Sequence, residues 1–409
     1  MHRLAPALLV LAAGCGADPR EITGLTPVME PLVLGNNAFA WGSFATLDEA
    51  GVEGNLFYSP FSITAAFSML YGGAEANTAA QIEAAFGIED EDAWHENMGR
   101  LLADLSGEHH RPYTLYAANR IWAQEGYPFK ERYLALTDET YGAGLVEADF
   151  DTDPGAVREE INGWVEDQTR GRIEDLFPSG TIDTTTVMVL VNAIYFLADW
   201  ATQFEADDTY DQAFHLGDGS GVQVPFMHQT AEFGYTEDAS VQVLEMPYET
   251  GDLSMYVILP QDGEDLAGIA DRLTVDQVDA WIADTTVQEV EVAFPTFQMD
   301  WEMPLADVVQ GMGVTDAFDP ILADLSGIAD AVLGNLYVQA AVHKAFVRVD
   351  EEGTEAAAAT GISVGDLSMP SGMEFTADRP FVFFIRDNLT RSILFLGRME
   401  DPSKAPLGD

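Results

Sequence analysis

Residues 351–367 form a stretch whose residue types and spacing could serve chemistry by changing conformation rather than by supplying a catalytic side chain. Four consecutive alanines at 356–359 favour helix, yet Gly353 and Gly361 interrupt that tendency and β-branched residues follow. Every second residue from Thr354 gives Thr354, Ala356, Ala358, Thr360, Ile362 and Val364, all apolar or small, whereas Glu355, Ala357, Ala359, Gly361 and Ser363 fall on the other face. This is the alternation of a strand with one buried face. Small side chains on that face suit a strand that enters a sheet already formed, because little volume must be accommodated. The segment is therefore expected to have two states, loop and strand.

Conventional catalytic groupings are scarce. There is no Gly-x-Ser-x-Gly elbow, no His-Glu-x-x-His pair, and no Ser-x-x-Lys before Lys130, Lys344 or Lys404. His109 and His110 lie in a polar turn and are read as solvent-facing. His343 stands among apolar neighbours, where the default reading is a buried histidine with a satisfied hydrogen bond. Asp149, Asp151, Asp153 and Glu160 echo a calcium loop, but Pro154 stands where that loop needs glycine, so we read a helix cap. No metal, no cofactor and no enzymatic activity are expected.

Lys+Arg number 18 against Asp+Glu 69, a formal net charge of -51. Such a surface repels nucleic acid, heparin-like polyanions and anionic lipid, all of which need clustered cations. Hydrophobic residues at 47% supply ample core material. At the start, His2 and Arg3 precede an apolar run at 4–13 that is too short to span a bilayer and reads as a signal. Residues 11–15, Leu-Ala-Ala-Gly-Cys, resemble a bacterial lipobox, with Ala12 where leucine is usual, and this would make Cys15 a lipid attachment site. As the sole cysteine, Cys15 excludes an intramolecular disulfide and a zinc site built on several thiolates. We expect a signal peptide at 1–14, a lipidated tether at 15–31, one domain at 32–402 and a tail at 403–409. The chain is expected to be exported, as a membrane-anchored lipoprotein facing periplasm or cell surface, or as a secreted protein. Any membrane contact would run through the lipid on Cys15.

The elements that must position residues 351–367 are legible as patterns. Ser59 caps a helix opened by Pro60; another runs from Thr78 to Phe86 and stops at Gly87; Asp153 and Pro154 open a third with an apolar face of Val157, Ile161, Trp164 and Val165. Strand-like runs follow near 187–196, 253–259, 289–297, 336–349, 381–385 and 392–397. Helices early and long strands later predict an α+β domain rather than an alternating doubly wound sheet.

Several motifs in this order resemble the serpin family. They are Asn55-Leu56-Phe57-Tyr58-Ser59-Pro60-Phe61-Ser62-Ile63 with Gly72-Gly73-Ala74, then Val191-Asn192-Ala193-Ile194-Tyr195-Phe196 with Trp200 and Phe204, and Met246-Pro247-Tyr248. Val342-His343-Lys344-Ala345, Glu351-Glu352-Gly353-Thr354 with the alanines, and Ala377-Asp378-Arg379-Pro380-Phe381 complete the series, so the resemblance spans 32–402.

The resemblance implies the serpin fold, with a large central mixed sheet A, sheets B and C, and an exposed reactive-centre loop at about 351–372. It implies suicide inhibition of a serine endopeptidase, in which the cleaved loop inserts into sheet A and traps the acyl-enzyme. The family's count, fourteen residues from hinge glycine Gly353, places the reactive bond at Leu367-Ser368. Leu367 would suit an apolar primary pocket of chymotrypsin or subtilisin type. The hinge would comprise Glu351, Gly353, Thr354, Ala356, Ala358 and Thr360, with Glu351 resembling an acid that usually pairs with a base on a neighbouring strand. Ser59, Ser62, Asn192 and His343 would form a polar shutter beneath the sheet. The family's polyanion platform would fall near 92–105, which is acidic here, so no heparin-like activation is expected. A monomer is expected. The alternative is a non-inhibitory or substrate-like member, a carrier or chaperone.

Overall fold

The computed structural model describes residues 22–105, 113–330, 334–354 and 372–408. Its central sheet has six strands in the order Phe297–Met303, Ala340–Val349, Gly353–Thr354, Met188–Asp199, Thr114–Gln124 and Val146–Ala148. Met188–Asp199 is apolar almost throughout and nearly all buried, because both faces of this sheet are covered. Even-numbered residues such as Leu190 and Ile194 join the main core, whereas Val189, Val191, Ala193 and Tyr195 join a second cluster. The helix Pro154–Gln168 roofs that second cluster with Val157, Ile161 and Val165.

The other sheet runs Leu56–Tyr58, Ile393–Met399, Phe381–Asp387, Leu253–Pro260, Val241–Pro247, Gly221–Glu237, Thr286–Pro295 and Met373–Thr376, with Tyr210–His215 paired to Gly221–Glu237. The 17-residue strand Gly221–Glu237 joins what the resemblance presents as two smaller sheets. Among the described residues there are nine α-helices, six of them before Thr169. Capping follows from local chemistry. The Ser59 side chain accepts from Ser62 N at the start of Pro60–Tyr71, and Asp153 accepts from Ala156 N at the start of Pro154–Gln168. Ala76–Phe86 ends on Gly87 in the left-handed region, at φ 69°.

Candidate functional site

The central sheet changes character along one seam. Ala340–Val349 runs parallel to Met188–Asp199 and pairs with it directly from Ala340 opposite Val189 to Phe346 opposite Tyr195. Beyond that point the chain turns at residues 350–352, and Gly353–Thr354 returns between the same two strands, antiparallel to both. Thr354 stands opposite Val349 on one side and Ala198 on the other.

Each side chain at this mouth has a reason to be there. A Cβ on Gly353 would lie 2.2 Å from the Ala198 carbonyl oxygen, so the backbone closes to this distance only with glycine. Thr354 is fully buried, its hydroxyl 2.7 Å from that of Tyr248. Tyr248 stacks on Trp200 with ring centroids 4.6 Å apart, and the Trp200 indole N–H donates to the Asp350 carbonyl at 3.0 Å. Backbone amides of Trp200 and Phe204 donate to the carbonyls of Glu352 and Glu351, each at 2.9 Å. Asp350 fixes the turn by accepting from the amides of Glu352 and Gly353, at 3.1 and 3.3 Å. Arg348 pairs with the other oxygen of the same carboxylate at 3.0 Å.

Glu351 accepts from the Thr209 hydroxyl at 2.6 Å. Among the described residues no base forms an ion pair with it, and the partner found there is this hydroxyl. The mouth is crowded with acid. Burial and then the charges of Asp350, Asp199 and Glu351 push the Glu352 carboxyl up, and burial with Glu249 and Asp350 does the same for Asp199.

Deeper along the seam, Ser59, Ser62, Asn192 and His343 share one buried network. Asn192 lies opposite His343 across the two strands, and the His343 Nδ1 meets Asn192 Oδ1. That oxygen can only accept, so Nδ1 carries the proton and Nε2 accepts from the Ser59 backbone amide at 3.0 Å. Asn192 Nδ2 donates to the Ser62 carbonyl at 2.7 Å and to the Ser62 hydroxyl at 2.8 Å. The Ser59 hydroxyl donates to the Leu394 carbonyl at 2.6 Å. Burial holds the His343 pKa down to about 3. A second proton would also set an Nε2–H against the Ser59 N–H, donor facing donor.

Sequence reasoning missed Asn119. Its side-chain oxygen accepts from the Ser62 hydroxyl at 3.2 Å and also meets Asn192 Nδ2, which extends the network to a third strand, Thr114–Gln124. The signal was a lone asparagine in the strand pattern Ala118-Asn119-Arg120-Ile121-Trp122. Ala356, Ala358, Thr360, the Leu367-Ser368 bond and Cys15 lie outside the described residues. Gly372 leads into Met373–Thr376, which pairs with Thr286–Pro295 on the other sheet.

A sequence model of the serpin (serine protease inhibitor) family matches residues 34–402. The chain is 40% identical over 383 residues to leukocyte elastase inhibitor A of Rattus norvegicus, covering 91% of this chain and 100% of that protein. It is 39% identical over 380 residues to an uncharacterized serpin-like protein of Thermococcus kodakarensis, covering 91% of this chain and 86% of that one. Uncleaved ovalbumin superposes with a TM-score of 0.82 at 30% identity, covering 91% of this chain and all of that one. The fold is therefore that of a class whose family model is described as serine protease inhibitors, that is, as inhibitors and not as enzymes. This chain is a member of the serpin family.

Proposed function

We propose that the chain is a suicide-type inhibitor of serine endopeptidases that uses residues 355–366 as a strand held in reserve. The observation that carries this reading is the wedge. Gly353–Thr354 already occupies the mouth of a slot whose walls, Met188–Asp199 and Ala340–Val349, pair with each other below it. Continuing the register of Gly353 opposite Asp199 and Thr354 opposite Ala198 brings Ala356, Ala358, Ile362 and Val364 to the main core, with Thr360 between Asn192 and His343. The same count sets Ala357, Ala359, Gly361 and Ser363 against the cluster under Pro154–Gln168. Both faces of the slot are roofed, which gives Gly361 a use where bulk would collide.

In this reading a protease serine attacks the Leu367 carbonyl and the amine of Ser368 leaves, giving an acyl-enzyme. Insertion of the twelve remaining residues at ~3.4 Å each then carries the tethered protease on the order of 40 Å before water can resolve the ester. Leu367 favours an apolar primary pocket, in keeping with the elastase-inhibitor name of the Rattus norvegicus relative. A bacterial lipoprotein, exported and anchored through Cys15, acting as a monomer, completes the proposal.

The test is to mix the protein lacking Cys15 with chymotrypsin and with a subtilisin, and to read denaturing gels and fragment masses. A band at the summed mass with a fragment starting at Ser368 is expected. Cleavage within 355–371 without that band, by either protease, would favour a substrate-like or non-inhibitory member.

A further inference from the structure

On the roofed face, three aromatic rings lie in a row across the sheet. Tyr116 stands opposite Tyr195, and Tyr195 opposite Phe346, with centroids 6.0 and 6.2 Å apart. The Tyr195–Phe346 step crosses the slot through which a strand would enter. Immediately after the helix Pro154–Gln168, the chain lays two guanidinium groups on this row. Arg170 sits over the Tyr116 ring at 4.4 Å and also meets its hydroxyl, and Arg172 sits over Phe346 at 5.7 Å. Arg170 adopts φ 53°, a conformation that costs a non-glycine residue, and Gly171 follows at φ 75°. Further down, Arg120 on the Thr114–Gln124 strand lies over Trp164 of the helix at 4.4 Å.

These contacts divide unequally between the slot's two walls. Arg120–Trp164 and Arg170–Tyr116 tie the helix and its turn to the Thr114–Gln124 strand, on the same side as Met188–Asp199. Arg172–Phe346 ties the same turn to Ala340–Val349, on the opposite side. Admitting a strand moves the two walls apart by about one strand spacing, ~4.8 Å. The helix can stay with one wall, but the Arg172 contact must then break.

We propose that Arg172 is a positioning residue for loop insertion, a clasp across the slot whose release limits how fast the sheet admits a strand. This rests on the insertion reading above. An exposed cation–π contact of this kind corresponds to about a two- to five-fold change in rate when lost.

A synthetic peptide of residues 355–364, added to the intact full-length protein, reads the clasp without any protease. Its incorporation is followed by the appearance of a more heat-stable form. Arg172→Gln should take up the peptide about two- to five-fold faster, Arg172→Lys should restore the slower rate in part, and Arg120→Gln, whose contact does not span the slot, should leave the rate unchanged. In protease mixtures, Arg172→Gln should also raise the fraction of protease captured relative to loop cut. Uptake by wild type at the same rate as Arg172→Gln, or equal acceleration by Arg120→Gln, overturns the clasp while leaving insertion intact. No uptake by wild type overturns the insertion reading, and the clasp falls with it.

Discussion

The seam between Met188–Asp199 and Ala340–Val349 is closed in two different ways. At His343 and Asn192 the strands pair directly, and a buried network extends from them to the capping Ser59, the helical Ser62 and a third strand. At Thr354 the walls are held apart by two residues of the chain itself, anchored through Tyr248 and Trp200. The difference teaches that the seam is parted at one end and bound by buried polar groups in its middle, so on the insertion reading proposed above it would open from the parted end, the middle groups having few alternative partners once separated.

The largest test of this contrast falls on the mouth. Thr354→Arg buries an unpaired guanidinium where the Tyr248 hydroxyl now meets a threonine, a penalty of about 3 kcal/mol or more. The hinge should leave the slot, so titration against the target protease should show cut loop in place of complex. Retained complex formation would mean that the wedge does not lead insertion.

A middle-sized effect is expected at the closed part. Asn192→Ala strips His343 Nδ1 and Ser62 of a partner, and chemical denaturation should show a loss of about 1–3 kcal/mol. A loss as small as that of a surface substitution would deny the network its closing role.

The smallest effect is a slope with pH. The folded-state pKa of His343, about 3, lies below its ordinary 6.5, so the unfolded chain takes up a proton first as pH falls. Stability present above pH 6.5 should therefore be lost between about pH 6.5 and 3. His343→Gln should flatten that part of the profile relative to wild type, whereas parallel profiles would show that another group governs it.

Much of this was legible in the residues themselves. Ser59 before Pro60 marked a capped helix and the apolar runs marked the long strands, whereas the alternation from Thr354 runs into residues outside those described. Asn119 escaped because one polar residue in a strand does not say which neighbour it will face. Thr209 escaped as the partner of Glu351 because it lies 142 residues away in sequence, brought there by the fold. The roof over the slot escaped as well, since alternation records the chemistry of a segment's own two faces and not what a distant helix lays across them.

The chain at either end of residues 355–371 belongs to a different sheet, the central one at Thr354 and the other at Met373. Downstream of it, Phe381–Asp387 and Ile393–Met399 are buried along their whole length and lie between Leu56–Tyr58 and Leu253–Pro260. Severing any peptide bond within 355–371 would therefore create a two-chain protein. Its shorter chain stays as a noncovalent subunit threaded through the core, and a nondenaturing size measurement would register no loss of mass.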